Sequence, residues 1–102
     1  MEFEIKKYVI SHMSNHGNTR HFIKLYDENE HRGILRFIDN GTTLPEPTMN
    51  RRGYITLNYY QEEFINVINT LRYEKPLYCH FLDHDVNHGF ISTSREDVGD
   101  EE

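Results

Sequence analysis

Asn58-Tyr59-Tyr60-Gln61-Glu62-Glu63-Phe64-Ile65-Asn66-Val67-Ile68-Asn69-Thr70-Leu71-Arg72-Tyr73, with Pro76 three residues on, is the stretch whose reading decides the fold. Tyr60, Phe64, Val67, Ile68 and Leu71 recur with a helical period and form one apolar stripe, while Gln61, Glu62, Asn66 and Asn69 fall outside it. Asn58 with Gln61 three residues later fits a capping box. Glu62 and Glu63 place negative charge near the first turn. Pro76 has no backbone donor and clashes with a preceding helical turn, so the helix is expected to end near Arg72 or Tyr73. A helix with a single apolar stripe has to bury it against something, and the rest of the chain supplies strands.

Upstream, four strands are expected. The first, 3–10, carries Phe3, Ile5 and Val9 on one parity and Tyr8 and Ile10 on the other, which predicts cover on both sides. A polar loop, Ser11 to Arg20, holds His12 and His16 and leads to a strand at 21–26 with Phe22, Lys24 and Tyr26 on one side. Asp27-Glu28-Asn29-Glu30 is turn chemistry, and Ile34, Leu35, Phe37 and Ile38 form a third strand. Short polar connections predict an antiparallel meander of these three. A long loop, 39–53, contains Pro45, Pro47, Arg51 and Arg52 and is a place to look for a site. A fourth strand starts at Tyr54.

Downstream of the helix, Leu77 to Leu82 and Phe90 to Ser94 read as strands around a polar turn, Asp83 to Gly89. The expected class is α+β, a small and largely antiparallel sheet with one packed helix in the order β-β-β-β-α-β-β. Residues 1–95 are expected to form one domain and residues 96–102 a disordered acidic tail, because 102 residues suit a single core and charged, apolar-poor termini gain little by ordering.

The formal charge is −6, but five acids lie in residues 96–102, which leaves residues 1–95 at −1. With one cysteine, no apolar leader and no long apolar run, the chain is expected to be cytoplasmic, without an internal disulfide and without a membrane span.

Cys79-His80-Phe81-Leu82-Asp83-His84 contains residue types that ligate zinc, and His80, His84, Asp83 and Cys79 are the metal candidates. Their spacing matches no zinc signature, and the competing reading makes Cys79 a small buried hydrophobe sharing parity with Leu77 and Phe81. No other cofactor is implied. No nucleophile elbow or paired acid and base marks an enzyme.

Tyr8, Phe22, Lys24, Tyr26, Arg51 and Arg52 are the candidate partner-binding residues, because Tyr and Arg are enriched where proteins bury surface against each other. The functional expectation is a domain that binds another protein or a copy of itself. The alternative is single-stranded nucleic acid, since bases stack on aromatics while cations hold phosphates; a small metal-dependent enzyme comes last.

Overall fold

A computed structural model describes residues 1–15, 17–83 and 86–95. The strands are β1 (Glu2–Glu4), β2 (Lys7–His12), β3 (Thr19–Tyr26), β4 (His31–Ile38), β5 (Thr48–Met49), β6 (Ile55–Tyr60), β7 (Tyr78–Asp83) and β8 (Asn87–Ser92). One α-helix, α1 (Phe64–Tyr73), follows a single 3-10 turn, Gln61–Glu63. This is a small α+β fold with one helix and largely antiparallel strands. The expected tail, 96–102, lies outside the described residues.

The strands divide between two sheets, one in the order β2-β3-β4-β6-β5 and the other in the order β1-β7-β8. The expected first strand is therefore two strands. Ile5 N–H donates to the Leu77 carbonyl in the smaller sheet, and Lys6 N–H to the Tyr26 carbonyl in the larger, so the chain changes sheets between these residues. Phe3 faces the core before that corner, and Tyr8 and Ile10 pack against it afterwards. The mixed parity of 3–10 thus records a corner, not cover on both sides.

The meander β2-β3-β4 is antiparallel, as the short connections predict, whereas β6 joins β4 in parallel. The 39–53 segment makes that crossover. Asn58 lies in β6, where its amide donates to the Pro45 and Glu46 carbonyls, so the loop runs along the β6 edge. Asn58 does not cap the helix. Asn40 instead caps the 3-10 turn that precedes it, its side-chain oxygen accepting from Glu62 N–H at 3.1 Å.

The small sheet and α1 together cover the inner face of the large sheet. Ile23, Leu25, Leu35, Phe37 and Ile55 are fully buried there, and Phe3, Phe64, Val67, Ile68, Leu71, Leu77, Cys79 and Phe81 join the same core. Two glycines lie at close approaches, Gly33 to the next strand of its own sheet and Gly89 to the facing layer. A methyl group at Gly33 would stand 2.8 Å from the Ile55 carbonyl oxygen, beneath the Phe3 ring. One at Gly89 would run into Leu57 and stand 2.9 Å from Pro47 Cβ.

Two outcomes test this packing. Leu71 is 4% exposed, so Leu71→Ala should cost about 2–5 kcal/mol in urea unfolding, through lost transfer energy and a cavity. Gly89→Ala should also destabilise, by about 1–3 kcal/mol, because the new methyl meets Leu57 and Pro47. An unchanged midpoint in either variant would contradict the layer contact it probes.

Candidate binding face

Strand register assigns the outer face of the large sheet row by row. Lys7, Tyr26 and His31 form one row; Val9, Lys24, Ile34, Thr56 and Thr48 the next; Ser11, Phe22, Arg36 and Asn58 the third. These rows hold three cations and no carboxylate. Lys7, Lys24 and Thr48 are exposed, and Val9 keeps 39% of its surface in solvent. Phe22, Tyr26, Ile34 and Arg36 are half-buried.

The first row extends into a run of rings. The Lys7 ammonium lies 4.9 Å from the Tyr26 ring centroid, Tyr26 stacks on His31 at 5.0 Å, and His31 meets Tyr54 edge-on at 4.9 Å. The Tyr54 hydroxyl is 3.0 Å from His31 Nε2, and burial first, then Tyr26, pushes its pKa up. A shallow cavity of about 230 Å³ joins His31, Tyr54 and Arg52.

Of the expected partner-binding residues, Phe22, Lys24 and Tyr26 share this face. Tyr8 is on the opposite side of β2, packed against the core. Arg51 and Arg52 are exposed in the turn between β5 and β6, held by Asn50, whose side-chain oxygen accepts from the Arg52 and Tyr54 amides. That places Arg52 near the end of the aromatic run.

The expected metal candidates are placed differently. Cys79 points into the core with Phe3 and Phe81, and burial pushes its thiol up to about 12. His80, the next residue along the strand, turns to the other side, where it stacks on Phe90 at 4.5 Å and its Nε2 lies 2.9 Å from the Ser94 carbonyl. Adjacent strand residues on opposite faces do not converge on one ion. Asp83 ends β7 opposite Asn87, and His84 lies outside the described residues. Among the described residues no three His, Cys, Asp or Glu side chains gather as a metal site.

A histidine pair absent from the sequence expectations stands at the opposite end of the sheet. The loop expected at 11–20 is shorter than the spacing suggests: β2 runs through His12, and β3 begins at Thr19. His12 and His21 are direct cross-strand partners. Their Nδ1 atoms lie 2.9 Å apart, and His21 stacks on Phe64 at 4.0 Å. Only the register brings them together, since nothing in their separation by nine residues signals a pair.

Comparison with protein-family models, curated proteins and solved structures finds no match. Among the described residues no helix is long and apolar enough to cross a membrane.

The His21 pKa is lowered by burial first, then by His12 and by Arg20. The folded protein therefore takes up its proton less readily than the unfolded chain, so stability should be fully present above the ordinary imidazole value of about 6.5 and fall as pH drops below it. The groups around the ring are His12 from β2, Arg20 from its own strand and Phe64 from α1. Asp27 acts in a separate, more acidic window, because the Glu30 and Asn29 amides and then Arg32 hold its carboxyl below the usual range. Urea midpoints between pH 5 and 7.5 should slope upward, and His21→Phe should flatten that slope; an equal slope in the variant would remove His21 as its source.

Proposed function

We propose that this domain binds another protein chain, a second copy of itself foremost, through β2, the free edge of the large sheet. The observation that supports this is an edge strand of six residues, with no strand on one side among the described residues and Val9 exposed beside a half-buried aromatic face. An open edge offers a row of backbone donors and acceptors to a further strand. A symmetric antiparallel pairing centred on Val9 sets Val9 against Val9 of the copy, Tyr8 against Ile10 and Lys7 against Ser11. Apolar side chains then meet apolar ones, and no lysine directly opposes its counterpart.

Sedimentation of untagged protein at micromolar concentration should give a dimer, and Val9→Lys, which places two cations on the symmetry axis, should give a monomer with unchanged far-UV circular dichroism. A monomeric wild type, or a variant that still dimerises, would overturn the pairing.

The carboxylate-free cationic rows favour a second reading, single-stranded nucleic acid laid across Lys7, Lys24 and Arg36 with bases on Phe22 and Tyr26. Oligonucleotide anisotropy at low salt should then show binding, weakened by Lys24→Ala with a log–log salt slope reduced by about one. Absence of binding at low salt would discard this reading and leave the strand-pairing one standing.

A further inference from the structure

We propose that His12 and His21 form a two-imidazole chelate for a divalent transition-metal ion of tetragonal preference, copper(II) first. The two side chains project from directly opposed positions on β2 and β3, so the backbone register itself delivers them to one place. Their rings stand nearly perpendicular, at 89°, with the Nδ1 atoms 2.9 Å apart. Phe64 backs His21 in a stack at 4.0 Å, while His12 is exposed, so one ring is held and the far side of the pair opens to solvent.

A chelate that kept this separation would favour one metal geometry over another. With metal–nitrogen bonds of about 2.0–2.1 Å, two nitrogens 2.9 Å apart subtend roughly 90° at the ion. That is the angle between neighbouring ligands in tetragonal copper(II) or nickel(II), whereas tetrahedral zinc asks for a wider one. Copper(II) also leads the affinity order for nitrogen sites. No third His, Cys, Asp or Glu joins the pair among the described residues, so water completes the coordination and the ion exchanges freely.

As the pair stands, one ring carries its proton at Nδ1 and donates to the other. On chelation that N–H bond breaks and the proton passes through solvent to Nε2 of the same ring, so both rings ligate as neutral imidazoles through Nδ1.

Copper(II) titrated into the untagged full chain should bind at one site with a tetragonal paramagnetic resonance spectrum showing coupling to two nitrogens. His12→Gln and His21→Gln should each weaken it by about tenfold or more, and zinc(II) should bind less tightly than copper(II) by a comparable factor. His88→Gln, which alters a histidine on β8, should leave the site unchanged. Because His12 is exposed, His12→Gln decides the matter even where His21→Gln disturbs the fold. Copper affinity or nitrogen coupling that survives in folded His12→Gln, or the absence of a one-to-one site in the wild type, would overturn the assignment.

Discussion

The close approach of the two layers at Gly89, with the Phe3 ring seated over Gly33, is the constraint on which the rest of the structure depends. Phe3 lies over Gly33, and Leu57 fills the space beside Gly89 that any side chain would need. With the small sheet seated so near, α1 needs to bring only Phe64, Val67, Ile68 and Leu71 to complete the cover. Each fully buried side chain of that size contributes about 1.5–3 kcal/mol relative to exposure, so the layer contact and the helix stripe act together to hold one core. The buried apolar side chains of the second layer go to the inner face, and the 39–53 segment is spent along the β6 edge. The outer face of the large sheet receives neither.

That division also sorts the charges. Lys6 pairs with Glu4, Arg20 with Asp39 and Arg32 with Asp27, all away from the central outer rows. Such exposed or half-exposed pairs add little stability, about 0–1 kcal/mol each, but they satisfy those cations locally. Among the described residues Lys7, Lys24 and Arg36 form no ion pair, and the acids nearest in sequence lie in turns or beyond the sheet. A chain with a formal charge of −6 thus presents a cationic surface on one side. Net charge describes how the molecule behaves at a distance; a contacting partner meets the rows.

The helix stripe was legible from Phe64 on because a period of 3.6 is written in consecutive residues, and Phe64, Val67, Ile68 and Leu71 are its buried members, whereas Tyr60, expected to open it, is the last residue of β6. The meander was legible because its turns are short. The corner at Ile5 and Lys6 was written too, as a change of parity, but the same pattern describes a strand covered on both sides. The parallel pairing of β4 with β6, the Asn40 cap and the His12–His21 contact all join residues whose proximity depends on register or on a long loop, and no local pattern encodes them. For the outer face, alternation placed Phe22, Lys24 and Tyr26 together, while Tyr8 went to the core because the chain had crossed between sheets two residues earlier.

The smaller sheet takes its first strand from one end of the chain and its other two from the opposite end, with Phe3 set against Cys79 and Glu2 against His80. On a ribosome, the meander and α1 emerge before β7, the strand partner of β1. Until β7 arrives, Phe3 has no strand to join and Gly33 has no ring above it. The part of the inner face that the small sheet covers therefore stays open until β7 emerges, with α1 alone packed on Ile23, Leu25 and Leu35. Pairings so distant along the chain are slow to close, which makes the interval before β7 emerges the period when the polypeptide is most open to holding chaperones and to self-aggregation.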